Sequence, residues 1–262
     1  MASAKVIRMS SASLHFPWLE LTAPFPPLSQ ACGPDSEAPG LLATGGQLDI
    51  KTLLGAYSQG IFPWFNIGQP ILWWSPDPRM VLDVNSFRLH RSLRKTLQAF
   101  SSSPFCEIRF DSDFRAIIQS CASSPRNGHQ GTWIVPAMVD AYIDMHHAGY
   151  AHSVETWIRG QLVGGLYCVS FGTAIFGESM FTRIPDASKI ALAALVCFCR
   201  HHHIDWIDCQ QNTHHLASLG AREIARADFI DIVGKAARRQ GPPWHFDPLY
   251  WNEILQCLRI SS

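Results

Sequence analysis

The chain has 262 residues, of which 47% are hydrophobic and 16% charged, enough apolar material for one large or two unequal domains. Lysine plus arginine balance aspartate plus glutamate at 21 each, which excludes a global positive field able to hold a nucleic acid by charge alone; any such contact must be a local patch. The eight cysteines form no C-x-x-C pairs, no secretory leader is legible, and no segment reaches the ~18 apolar residues that span a bilayer, so the expected setting is the cytoplasm, with reduced thiols and no membrane partner.

Residues 1 to about 47 carry Pro17, Pro24, Pro26, Pro27, Pro34 and Pro39, too many for long helices or a central strand. Phe16, Trp18 and Phe25 offer apolar anchors there, so the stretch reads as an ordered arm or small lobe. Asp49 is placed to cap a helix with Ile50, Leu53, Leu54 and Tyr57 on one face, and Gly60 ends it. GIFPWF follows as a turn. Pro76 and Pro78 divide ILWWSPDPRMVLD into two short strands, with a domain boundary near 75, and Asn85 or Ser86 opens a basic helix reaching about Phe100.

Pro136 and Gly149 delimit an amphipathic helix with Met138, Val139, Tyr142 and Met145 on one side. YAHSVETWI, QLVGGLYCVSF and TAIFGESMF, parted by Arg159-Gly160 and Gly172, predict an antiparallel meander. Ser188 to His203 is apolar nearly all round, as a buried helix should be, and IDWIDCQ reads as a strand. Mixed strands and helices in this order give an α+β or α/β class. His201, His202, His203, His214 and His215 invite a zinc reading, but consecutive histidines point apart and Cys197-x-Cys199 belongs to a helix interior, so no metal is expected.

Three stretches carry a long and specific pattern: GLLATGGQLDIKTLLGAYSQGIFPWFNIGQPILWWSPDPRMVL; GTWIVPAMVDAYIDMHHAGYAHSVETW; and GGLYCVSFGTAIFGESMFTR with DASKIAL and DCQ-x-x-x-x-H-x-x-SLGA. Over roughly residues 40 to 225 the chain resembles the leucyl/phenylalanyl-tRNA–protein transferase family. The resemblance implies a small N-terminal domain, residues 1–75, and a catalytic domain, 76–262, with an acyl-CoA N-acetyltransferase-like α+β fold of mixed sheet, used without coenzyme A or any other cofactor. It implies a cytoplasmic monomer that moves Leu or Phe, with Met as a further donor, from aminoacyl-tRNA to the N-terminal Arg or Lys of acceptor proteins, marking them for N-degron-type degradation. A coenzyme-A-dependent N-acetyltransferase is the rival enzyme class, but its Gln/Arg-x-x-Gly-x-Gly/Ala loop is missing; a noncatalytic tRNA-binding protein is the other rival.

The reaction so implied is attack of a neutral α-amine on an ester, and an amine that titrates near ~7.7–8.0 needs positioning more than a strong base. Asp208 and Gln210 lie two apart in a predicted strand and should leave the same face, Cys209 the other. The Asp208 carboxylate would accept from the Gln210 amide, leaving the Gln210 carbonyl oxygen for the amine. Glu178 ends an apolar strand and should face a cleft, paired with the acceptor's N-terminal cation or with Arg183 or Lys189. Trp64 and Trp133 are faces on which the terminal adenosine could stack, whereas Trp73 and Trp74 read as core. Leu166, Phe176, Met180 and Phe198 are candidates for the aminoacyl pocket, and Arg88, Arg91, Arg94 and Lys95 form a basic face suited to tRNA or simply to solvent. The Arg126–His129 insertion and the tail beyond 235 remain unassigned.

Overall fold

A computed structural model of the chain describes residues 17–124 and 133–255. Phe16, the Arg126–His129 stretch, the Gly131-Thr132 pair before Trp133, and Cys257 lie outside these residues.

The N-terminal part builds a four-stranded sheet from β1 (Trp18–Leu19), β2 (Leu41–Gly45), β3 (Phe62–Pro63) and β4 (Leu72–Trp74), in the order β1-β2-β4-β3. Contrary to the expectation for the proline-rich stretch, β2 is a central strand, paired with β1 on one side and β4 on the other. It occupies the proline-free residues just after Pro39, where every backbone N–H can enter a ladder. Helix α1 (Ile50–Tyr57) begins where Asp49 accepts from the Thr52 N–H at 2.6 Å. Gly60, at φ +70°, takes the chain off the helix.

The second sheet has seven strands. Strand β5 (Arg79–Asp83) precedes helix α2 (Arg91–Ser101), strand β6 (Cys106–Phe110), helix α3 (Phe114–Ser123) and helix α4 (Pro136–His147). The meander follows as β7 (Ala151–Ile158), β8 (Gln161–Phe171) and β9 (Ala174–Thr182), then helix α5 (Ala187–His201) and strand β10 (Trp206–Gln210). Helix α6 (His214–Ser218), strand β11 (Arg222–Ile224), helix α7 (Arg226–Ala236) and helix α8 (Asn252–Leu255) complete the chain as described. The strand order is β11-β5-β10-β9-β8-β7-β6, and β9–β10 is the one parallel neighbour pair; α5 is the crossover that makes it possible. α2 starts later than predicted, at Arg91, because Asp83 first caps a short 3-10 turn over Val84–Ser86.

The sheet separates two cores. One face meets α3, α4, α7 and the N-terminal sheet, with Trp73, Tyr57, Tyr142 and Phe176 buried in it. The other is covered by α5, whose residues from Ile190 to Cys199 are buried without interruption. The Gly164-Gly165 pair of β8 serves both: a Cβ on Gly164 would meet the Ala187 Cβ at 2.5 Å, and one on Gly165 would meet Ile117 Cδ1 at 2.6 Å. No disulfide joins the seven described cysteines.

Candidate active site

Strands β9 and β10 pair only at Ile175–Ile207 and Phe176–Asp208, and then part. Glu178 and Gln210 each stand two residues beyond the last rung, where the parallel pairing has ended. Both are 9% exposed or less.

Each strand is irregular at this point. On β9, Cys168 faces Gly177 and Tyr167 faces Ser179, so Glu178 is an extra residue, a β-bulge that re-aims its side chain. On β10, Asp208 faces Val81 and Gln210 faces Met80, so Cys209 is extra. Gln210 has φ +61°, and the Gln211 N–H donates to the Cys209 carbonyl at 2.7 Å, which closes a positive-φ γ-turn around Gln210.

The Gln210 Nε2 donates to Glu178 Oε1 at 2.9 Å. The same oxygen accepts from the Tyr57 hydroxyl at 2.7 Å, Tyr142 donates to Oε2 at 3.3 Å, and the two phenols are 2.5 Å apart. Tyr57 comes from α1 and Tyr142 from α4, so three separate segments converge on one carboxylate. Burial pushes the Glu178 carboxyl up to about 7, opposed by the Tyr57 hydrogen bond, while the nearby Asp208 charge raises it further. Among the described residues no cation hydrogen-bonds to it, and Arg79 lowers it only through space: Arg183 donates to the Leu162 carbonyl and Ser120, and Lys189 pairs with Asp186. The two alternative ion pairs considered for Glu178 are therefore not formed.

Asp208 has a different partner from the one predicted. Arg79 grips it with two parallel bonds, Nε to Oδ1 at 2.8 Å and Nη2 to Oδ2 at 2.6 Å, and Oδ1 also accepts from the Gln210 backbone N–H at 2.9 Å. The Gln210 amide is thus oriented by Glu178, not by Asp208, and Asp208 acts on the backbone instead. The γ-turn breaks the strand alternation on which the direct Asp208–Gln210 side-chain pair was based. The Gln210 carbonyl oxygen accepts from no group among the described residues. Cys209 bonds weakly to the Ile207 carbonyl at 3.7 Å, and burial holds its thiol well above the usual range, which keeps it a poor nucleophile.

The four residues proposed for one aminoacyl pocket do not line a common surface. Leu166, Met180 and Phe198 belong to the core under α5, whereas Phe176 lies on the other face against Tyr57 and Phe229. The bulge at Glu178 explains the error: it reverses the alternation, so Phe176 and Phe181, five apart, share a face that Met180 does not. Trp64 and Trp133 are both partly buried against the first core, Trp64 in an edge contact with Trp74 at 5.4 Å. Trp73 and Trp74 are buried, as expected. Arg91 and Lys95 are exposed on α2 and Arg94 is half-buried, opposite the buried Leu93, Leu97 and Phe100. Arg88 is exposed just before that helix.

Among the described residues no cluster of three or more His, Cys, Asp or Glu is placed to hold a metal ion, and no helix is long and apolar enough to cross a membrane. A cavity of about 230 Å³ runs along the paired part of β9 and β10, lined by Ala174, Phe176, Trp206, Asp208, Phe229 and Val233; Glu178 and Gln210 are not in its lining. The participants that sequence reasoning missed are Tyr57, Tyr142 and Arg79. The tyrosines were legible only as apolar helix positions; Arg79, a charge leading into the apolar run MVL, was the one available signal.

The described residues form a mixed α/β fold whose large sheet parts at its parallel strand pair, with the buried polar side chains of Glu178, Asp208 and Gln210 gathered at the split. The sequence matches the leucyl/phenylalanyl-tRNA protein transferase family over residues 81–234 and that family's N-terminal domain over 46–77. It is 63% identical over 239 residues to a leucyl/phenylalanyl-tRNA–protein transferase of Polaromonas sp., covering 91% of this chain and 94% of that one. It is 58% identical to the same-named protein of Albidiferax ferrireducens, covering 97% and 100%, and 56% identical to that of Leptothrix cholodnii, covering 91% and 94%. The chain belongs to the leucyl/phenylalanyl-tRNA–protein transferase family and is an aminoacyltransferase.

Proposed function

We propose that this enzyme transfers Leu or Phe, with Met as a further donor, from charged tRNA to acceptor proteins that begin with Arg or Lys, and that the product enters an N-degron type of degradation in the cytoplasm. The observation that carries the reading is the buried Gln210 amide, whose Nε2 is fixed on Glu178 and whose carbonyl oxygen accepts from no group among the described residues. That oxygen accepts one N–H of the incoming neutral amine and points its lone pair at the ester carbonyl. The C–N bond forms, the bond to the ribose oxygen breaks, and the proton lost by the amine ends on that oxygen. Neither a metal nor a cofactor takes part in this reading of the step.

Glu178 recognises the acceptor. A buried carboxylate hydrogen-bonded to two phenols and an amide, with Arg79 acting on it only from a distance, is poorly compensated, and an arriving Arg or Lys supplies the missing charge. Trp64 and Trp133 take the terminal adenosine. Arg88, Arg91, Arg94 and Lys95, none of them ion-paired among the described residues, contact tRNA phosphates. Residues 1–75 and 76–262 are taken as N-terminal and catalytic domains of one monomer.

The test is to incubate the chain with labelled leucyl- and phenylalanyl-tRNA and a peptide beginning with Arg, then to locate the label by mass spectrometry. A new amide at the peptide's α-amine is the expected product. Free amino acid as the sole product, or label on the enzyme, would exclude the direct transfer.

A further inference from the structure

Arg79 is fully buried, yet sequence and reaction give it no role. Its guanidinium lies between two phenylalanine rings, 4.7 Å from the centroid of Phe62 and 4.6 Å from that of Phe229. Nη1 donates to the Gly60 carbonyl at 3.1 Å, and the remaining fork holds both oxygens of Asp208. The group is therefore fixed on both faces and along its edge, which a lysine could not reproduce.

Asp208 in turn has little left to offer a substrate. Oδ1 accepts from Arg79 and from the Gln210 backbone, and Oδ2 from Arg79, with the residue 3% exposed. To accept a proton from an attacking amine it would have to loosen two hydrogen bonds to a guanidinium that has no access to water. What Asp208 does hold is the backbone N–H of a γ-turn that a non-glycine residue adopts at φ +61°. Such a conformation is strained and persists only where its surroundings fix it. From the turn, the Gln210 side chain reaches Glu178.

We infer that Arg79 is a positioning residue for the transfer: with Asp208 it forms a buried ionic clamp that holds the strained Gln210 turn, and Asp208 works through that clamp and takes no proton from the amine. The inference rests on the reading of Gln210 as the group that receives the acceptor. It also accounts for the convergence of Gly60, β5 and β10 on one point, since Arg79 ties the turn after α1 to the end of β10.

The experiment compares Arg79→Met, Asp208→Asn and the double variant with the unaltered enzyme, using a phenylalanyl-adenosine ester as minimal donor and an Arg-initiated peptide as acceptor. Each single change leaves one buried charge without its partner and should lower kcat by roughly 100-fold or more while the donor KM stays within about threefold. The double variant removes both charges but keeps an amide oxygen for the Gln210 N–H. It should recover kcat to within about tenfold of the unaltered enzyme, a strong departure from additivity. A double variant as inactive as Asp208→Asn, with intact cooperative unfolding, would show that Asp208 itself takes part in the chemistry and would overturn the inference. Should the double variant not fold, Arg79→Lys decides: kcat lowered about tenfold at unchanged KM supports the clamp, and full activity refutes it. If the unaltered enzyme gives no product, it is the Gln210 reading that fails, and the two failures are distinct.

Discussion

Glu178 couples the site to pH in a direction that can be worked out. Its carboxyl titrates near 7 in the folded chain against an ordinary 4.5, so between these values the folded state keeps a proton that the unfolded state has lost. The folded state then binds more protons, and this group's contribution to stability falls as pH rises from about 4.5 to 7. Glu178→Gln should remove that slope. Urea unfolding should find the variant gaining on the unaltered chain between pH 5 and pH 8, by on the order of 3 kcal/mol at most. Parallel pH dependences would mean that the buried carboxylate is compensated by something other than Tyr57 and Tyr142.

At the same scale, Cys209→Ala should leave turnover within about twofold, because a thiol held protonated by burial is not a nucleophile at neutral pH. A thioester at Cys209, detected by mass, would contradict this. The identities of Glu178, Asp208 and Gln210 as a constellation were legible from their motifs, but their partnerships were not. A sequence shows that Asp208 and Gln210 are two apart; it does not show that a γ-turn intervenes, nor that Arg79, 129 residues away, occupies the carboxylate.

Among the elements, α1, α4, the three-strand meander, α5 and β10 follow from apolar periodicity and from Asp49, Pro136 and Gly149, and they stand where those signals place them. The bulges at Glu178 and Cys209 do not announce themselves, since each is one ordinary residue that shifts the facing of all that follow. That is why Phe176 was grouped with Met180. The tail beyond α7 was unreadable for another reason: its fit depends on surface built elsewhere. Trp244 stacks on His152 at 3.9 Å and contacts Phe198 and Phe110, and Arg200 donates to the carbonyls of Val84 and Glu253, fastening α8 to α5. Trp244→Ala should cost roughly 2–3 kcal/mol, seen as a lowered unfolding midpoint, with the KM values unaltered. For α2, Arg91→Glu with Arg94→Glu should raise the KM for charged tRNA and weaken its salt dependence without harming an aminoacyl-adenosine donor. Equal harm to both donors would remove the helix from the tRNA path.

In the whole molecule, Tyr57 on α1 and Tyr142 on α4 bring the N-terminal sheet's neighbourhood and the large sheet to the same carboxylate, so the site exists only in the assembled chain. Charge balance at 21 against 21 agrees with local rather than global attraction for a nucleic acid. The central claim is that Glu178 and Gln210 together select and orient a basic acceptor amine. It is tested most directly by kcat/KM for peptides beginning with Arg, Lys, Asp or Ala, with the unaltered enzyme and Glu178→Gln, using phenylalanyl-tRNA as donor. Arg and Lys should exceed Ala and Asp by roughly 100-fold or more in the unaltered enzyme, and Glu178→Gln should cut that ratio by at least about tenfold. Equal use of all four peptides by the unaltered enzyme, or an undiminished ratio in Glu178→Gln, would contradict it.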